Sequence, residues 1–144
     1  MNRLRFIAFL FTTAMLCSCG GAWNSDSIAL VGTWTTYSVS EVAPLPQSET
    51  LEETPYAVRS IQFTEKGVTA TYGTYNYKTK QWSNLHNEYY DRYSIDDATH
   101  AIIIVLWQGS ASNNSFSYDE GELKYYAKGK TGDYSITQCL LRKQ

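Results

Sequence analysis

The chain has 144 residues, with 12 Lys and Arg against 14 Asp and Glu and a formal net charge of −2 at pH 7. Setting aside Arg3 and Arg5 of the amino-terminal segment leaves 10 basic residues against the same 14 acidic ones, a charge near −4. This balance excludes nucleic-acid binding through phosphate neutralisation, and it excludes attachment to a membrane through a polybasic surface.

Residues 1–18 have the organisation of a secretion signal. Arg3 and Arg5 give a positive start, and Phe6–Leu16 is an apolar run interrupted only by two threonines. A run of this length is too short to span a bilayer, which takes about 20 residues. We therefore leave residues 1–18 out of the fold.

Leu16-Cys17-Ser18-Cys19 resembles the bacterial lipobox, whose cysteine becomes the acylated amino terminus of a lipoprotein. Cys19 is the better acceptor, because cleavage before Cys17 would place bulky Leu16 at the cleavage position. Gly20 stands where Asp often signals retention in the inner membrane. The resemblance therefore implies attachment to the outer membrane through an acylated Cys19. The alternative is an ordinary secretory signal with two incidental cysteines.

Residues 19–29 are predicted to be a flexible, lipid-anchored linker, because Ala22–Ile28 is short and polar. Residues 30–144 form the predicted folded domain. Leu30–Ser40 is its first strand, and Gly32 and Trp34 share one face of it because side chains alternate along a strand.

A long loop is predicted next, over Glu41–Tyr56, which holds all three prolines of the chain. Ala57–Glu65 and Val68–Asn76 then alternate as two strands around a Lys66-Gly67 turn. His86–Ile95 is predicted as one strand with its odd positions facing inward.

Ala101–Gln108 is apolar on both faces, and its β-branched content favours a strand over a buried helix. The last strand is expected to place Tyr134, Ile136 and Leu140 on one face. The remaining predicted strands are Ser115–Asp119, Glu122–Lys128 and Asp133–Arg142.

Eight strands with mostly short turns and no long helix predict an all-β domain. Eight antiparallel strands are enough to close an up-and-down barrel, which removes the exposed edges of an open sheet. A two-layer β-sandwich is the alternative.

Gly32-Thr33-Trp34 at the first strand, together with this strand count, resembles the lipocalin-like domain of bacterial lipoproteins. The resemblance implies an eight-stranded barrel over residues 30–144, with a floor made of Gly32 and Trp34. In larger lipocalins an arginine near the end of the last strand covers this Trp, and Arg142 stands at that position as a cation–π lid.

No constellation predicts an enzyme, a metal site or a cofactor. Cys139 is the only cysteine of the predicted domain and is expected to be a small buried hydrophobe. His86 and His100 belong to no ligand motif, and Asp96-Asp97 is typical of a hairpin turn.

Tyrosine is abundant, with 12 Tyr and 4 Trp against 5 Phe. Inward tyrosines would give a semi-polar interior for a small amphipathic ligand, or would fill the barrel by bonding to one another. The candidate lining residues are Tyr72, Tyr89, Tyr93, Tyr125 and Tyr134.

Tyr75, Tyr77 and Trp82 form a second aromatic group, at a strand end and in a polar connection. Such residues either pack at the rim or contact a partner. The expected function is ligand binding in or at the mouth of the barrel. The alternative is a non-enzymatic scaffold of the outer membrane that contacts another envelope protein.

Overall fold

A computed structural model describes residues 29–42, 52–96, 102–128 and 136–144. Contacts within the chain divide it into Met1–Leu30 and Val31–Gln144, and every strand described below belongs to the second unit. The secretion signal, Cys19 and Tyr134 lie outside the described residues.

Nine strands make up the described part of the fold. They are β1 (Gly32–Glu41), β2 (Glu53–Thr64), β3 (Gly67–Asn76), β4 (Trp82–Tyr90), β5 (Arg92–Asp96), β6 (Ile102–Gln108), β7 (Ala111–Asp119), β8 (Glu122–Lys128) and β9 (Ile136–Lys143).

All nine strands belong to one antiparallel sheet in the order β4-β3-β2-β1-β9-β8-β7-β6-β5. The predicted all-β, barrel-like class is confirmed, and the sheet is continuous rather than split into two facing layers. The two ends of this order are β4 and β5, which are consecutive in the chain and separated only by Asp91. The sheet is therefore nearly closed on itself.

The count of nine corrects the predicted eight, because the strand expected over His86–Ile95 is divided at Asp91. Before the bend, Tyr90 pairs with Val68 of β3; after it, Arg92 pairs with Trp107 of β6. The Asp91 amide donates a hydrogen bond to the Trp107 carbonyl at 3.1 Å. One bent strand thus joins both ends of the sheet.

Three further boundaries differ from the prediction. β2 begins at Glu53 and contains Pro55, although the prolines predicted a loop up to Tyr56. The pairing of β2 with β3 shifts between Thr54 and Ala57, so Pro55 lies where no ladder donor is needed. β4 begins at Trp82 and β7 at Ala111, each inside a segment predicted as a connection.

The faces of β9 are the reverse of the prediction. Its buried side chains are Thr137, Cys139 and Leu141, whereas Ile136 and Leu140 are only half-buried. Both faces of this strand carry apolar residues, so alternation alone does not say which one points inward.

The barrel has a lower and an upper end, and its largest ring is buried near the lower one. The lower end holds the start of β1 and the β2–β3 turn; the upper end holds the end of β1, the start of β2 and the β3–β4 turn. Near the lower end Trp34 is 2% exposed, and its ring meets that of Tyr118 edge-on at 5.8 Å. Phe63 and Leu123 are fully buried in the same core.

Replacing Trp34 with Ala is expected to lower the free energy of unfolding by about 3–5 kcal/mol, because it removes the largest buried ring of the core. Urea denaturation measures the change. Tyr89→Ala, on a side chain that is 56% exposed, is the control and should stay within about 1 kcal/mol of the parent. Equal losses in the two variants would contradict the inward packing of Trp34.

Candidate functional site

Arg142 does not cover Trp34, so the predicted cation–π lid is wrong. In the β1–β9 pairing Arg142 lies opposite Thr35, one position from Trp34 and therefore on the other face of the sheet. Its guanidinium lies 4.5 Å from the centre of the Tyr37 ring on the outer surface.

Gly32 packs closely against the side chain of Lys143 at the lower end. Its φ is +131°, and a Cβ added there would lie 2.9 Å from Cε of Lys143. The basic residue packed at Gly32 is therefore Lys143 and not Arg142.

Two of the five candidate lining tyrosines are buried inside the barrel. Tyr72 is 6% exposed and Tyr125 7%. Their ring centres lie 5.8 Å apart, and Phe116 lies 4.7 Å from Tyr125. These rings pack against one another across the interior. Tyr93 is half-buried and meets Phe63 edge-on at 5.2 Å.

The expectation that Tyr89 faces inward is wrong, since it is 56% exposed while Tyr90 is 3% exposed. Beyond Asp91 the odd positions Tyr93 and Ile95 are the half-buried ones. The alternation therefore shifts at the bend, and Tyr90 takes the interior place expected for Tyr89.

Pairing with β3 places three side chains of β4 opposite buried residues. His86 pairs with Tyr72, Glu88 with Ala70, and Tyr90 with Val68. Partners in an antiparallel pair share a face. Because Tyr72, Ala70 and Val68 are all buried, the side chains of His86, Glu88 and Tyr90 belong to the interior face.

Tyr72, Tyr90, Asn113 and Glu88 form a connected set of hydrogen bonds, which we call the tyrosine network. The Tyr90 hydroxyl donates to Oε2 of Glu88 at 2.8 Å and lies 2.8 Å from the Tyr72 hydroxyl. Since the one proton of Tyr90 goes to Glu88, Tyr72 donates to Tyr90. Asn113 donates from Nδ2 to Tyr90 at 3.2 Å and to Tyr72 at 3.4 Å.

The network opens to solvent at Glu88 and His86, whose side chains are 41% and 56% exposed. Oε1 of Glu88 lies 3.8 Å from Nε2 of His86, an ion pair when the imidazole is protonated. The imidazole ring stacks on Tyr72 with 5.8 Å between centres. The two buried phenols are thus connected to a half-exposed carboxylate.

Burial raises the pKa of Tyr72 well above its ordinary range, and the hydrogen bond it donates to Tyr90 adds to the rise. Burial likewise raises the pKa of Tyr90 and of Tyr125. These phenols therefore stay protonated at neutral pH. The site offers neutral hydroxyl groups and aromatic faces next to one carboxylate.

The sequence alone did not point to this site. Because the odd positions of His86–Ile95 are predicted to face inward, the even positions His86 and Glu88 fall on the outer face. The signal that was available is Asp91, a charged residue that interrupts an otherwise regular inward series between Tyr89 and Tyr93.

The predicted surface patch does come together at the upper end. The ring of Tyr75 lies 4.9 Å from Trp82 and 5.8 Å from Tyr77. All three residues are half-buried, and the hydroxyl of Tyr77 lies 3.0 Å from Oγ1 of Thr137 on β9. Tyr77 therefore also ties the β3–β4 turn to the opposite wall.

Burial raises the pKa of the Cys139 thiol to about 12, which leaves it neutral and unreactive at physiological pH. Among the described residues, no three His, Cys, Asp or Glu side chains are grouped closely enough to hold a metal ion.

No family model, no curated protein and no solved structure matches this chain. Within the described ranges, no helix is long and apolar enough to cross a bilayer.

The raised tyrosine pKa values predict that the fold loses stability in alkali. Above about pH 10 tyrosines of the unfolded chain ionise, while Tyr72 and Tyr125 keep their protons in the folded chain. The unfolded state then binds fewer protons, so the free energy of unfolding falls by up to about 1.4 kcal/mol per pH unit for each such tyrosine.

Tyrosinate absorbance followed against pH in native and in urea-unfolded protein measures this difference. The native curve should lag behind the unfolded one, and Tyr72→Phe should reduce the lag. Coinciding curves would show that these phenols are open to water.

Proposed function

We propose that this chain is a lipid-anchored binding protein of the bacterial envelope whose barrel takes a small amphipathic ligand where the tyrosine network opens to solvent. The proposed attachment to an envelope membrane rests on the lipobox-like sequence that ends at Cys19. The binding role rests on one observation above all, the half-exposed Glu88 carboxylate next to buried aromatic rings.

Side-chain packing elsewhere in the interior favours this opening as the place for a ligand. Trp34, Phe63 and Leu123 fill the lower end, and the rings of Tyr72 and Tyr125 meet in the middle. At Glu88 and His86, aromatic faces, hydroxyl groups and a carboxylate are reached from solvent together. A ligand with an apolar body and a polar head fits this combination.

Glu88 is suited to accept a hydrogen bond from a donor group of such a ligand. One of its oxygens is held by Tyr90, which fixes the orientation of the carboxylate. The other oxygen has only His86 within 4 Å as a charged neighbour among the described residues. Because the carboxylate is already oriented, a ligand donor does not have to order it on binding.

This binding role is non-enzymatic. Cys139 is the one free cysteine among the described residues, and it is buried. A catalytic nucleophile needs an activating base and access to its substrate. The phenols of the tyrosine network stay protonated and are therefore weak nucleophiles at neutral pH.

A protein partner is the second candidate. An open groove of about 600 Å³ lies on the outer face of the barrel, between Ile103, Ser115, Tyr126 and Ile136. Apolar side chains bordered by serines suit a protein contact. In this reading the barrel is a scaffold for another envelope component.

The proposed lipid attachment predicts that Cys19→Ser abolishes incorporation of labelled palmitate and releases the protein from the membrane fraction of a bacterial host. Cys17→Ser is the matched control, two residues away in the same segment, and should still be acylated. If Cys17→Ser alone loses the label, the acceptor is Cys17; if the parent takes up no label, the chain is not a lipoprotein.

The proposed binding role predicts that protein purified from envelope extract retains a small molecule, seen by native mass spectrometry. Glu88→Gln should lower this retention about tenfold, because a charge-assisted hydrogen bond becomes a neutral one.

Glu122→Gln is the matched control, since Glu122 also accepts a tyrosine hydroxyl, from Tyr37 at 2.7 Å, but on the outer surface. Retention should be unchanged in this variant. A parent protein that carries no small molecule but recovers a specific protein would favour the scaffold instead.

A further inference from the structure

Glu41, the last residue of β1, carries its side chain into the barrel at the upper end. It pairs with Thr137 of β9, so the two side chains share a face. Thr137 is 5% exposed, and that face is therefore the interior one.

Three hydroxyl groups stand next to Glu41 and bond to one another. Oγ1 of Thr137 donates to Oγ1 of Thr54 at 2.9 Å and lies 3.0 Å from the hydroxyl of Tyr77. Burial raises the pKa of Tyr77, and the charge of the Glu41 carboxylate raises it further. The carboxylate is therefore close enough to interact with this hydroxyl.

Oε1 of Glu41 is nevertheless buried and accepts no hydrogen bond from any described residue. The adjacent hydroxyl groups bond to each other instead. A buried carboxylate oxygen without a donor is costly, and native proteins keep such groups for a reason such as a bound partner. Oε1 of Glu41 is thus a strong acceptor at the upper end of the barrel to which no described residue donates.

The acidic side chains on the interior face of β1 and β4 are Glu41, at this end, and Glu88, which pairs with Ala70 farther along the barrel and has His86 beside it. None of the lysines and arginines whose side chains are described is buried. No buried basic residue of the described chain therefore balances the Glu41 carboxylate at the upper end.

We propose that Glu41 receives a protonated amino group, so that the ligands of this barrel are amphipathic amines. The proposal rests on the binding role proposed above and names its ligand class. An ammonium group supplies both the donor that Oε1 lacks and the positive charge. The neighbouring rings of Tyr75 and Tyr77, 5.8 Å apart, offer faces that attract a cation.

Three probes with the same eight-carbon chain and different heads test this class: octylamine, octan-1-ol and octanoate, each titrated into the acylated full-length protein at neutral pH. Octylamine, which is protonated there, should bind about tenfold more tightly than octan-1-ol, and octanoate should bind least. Ligand-observed NMR measures the three affinities.

Glu41→Gln should bring the affinity for octylamine down to that for octan-1-ol, and Glu122→Gln should leave it unchanged. Without ligand, Glu41→Gln should unfold at a urea concentration no lower than the parent, because the neutral amide places no charge on the buried oxygen that lacks a donor. This second measurement separates loss of the binding group from loss of the fold.

The outcomes distinguish the two proposals. If none of the probes binds and no small molecule is retained from envelope extract, the binding role itself fails. If octan-1-ol or octanoate binds as tightly as octylamine, or if Glu41→Gln keeps the parent affinity for the amine, the amine proposal fails while the binding role stands.

Discussion

The bend at Asp91 is the constraint on which the rest of the fold depends. A single strand leaves β3 at Tyr90 and joins β6 at Arg92, so the two ends of the sheet are halves of one strand. Without that change of partner, both ends of the sheet would carry unpaired backbone groups along their full length. The bend is held by the hydrogen bond from the Asp91 amide to the Trp107 carbonyl.

Close backbone approach at the same corner explains a glycine at the start of β3. A Cβ added to Gly67 would lie 2.6 Å from the carbonyl oxygen of Tyr90. Any larger residue would push β4 away at the point where it changes partner. Gly67 and Asp91 therefore act together, one by allowing contact with β3 and the other by fixing contact with β6.

The positions that face inward change from even to odd at the bend, and alternation along the sequence does not predict this change. Alternation correctly predicted the β2–β3 hairpin, with Ile61, Phe63, Val68 and Ala70 all buried. It failed for Tyr89, because a period of two cannot register a shift caused by a change of pairing partner.

The inward face of β9 could not be predicted from the sequence, for a different reason. Apolar residues occupy both of its faces, and only pairing with β1 shows that Leu141 points inward and Arg142 outward. The predicted lid over Trp34 failed for that reason. Features that depend on local alternation are predicted from the sequence. Features that depend on the register between strands distant in the chain are not.

The division between the two barrel ends follows from the cost of burying polar groups. At the lower end the hydroxyl of Tyr93 is buried without a hydrogen-bond partner among the described residues, but it is neutral and its ring packs on Phe63. At the upper end the unpartnered atom belongs to a carboxylate, whose burial is much more costly than that of a hydroxyl. A core that served stability alone would place an apolar or paired side chain at Glu41. Of the two buried polar atoms that lack a partner among the described residues, the charged one therefore lies at the upper end, where a bound donor would remove the cost that the fold itself leaves uncompensated.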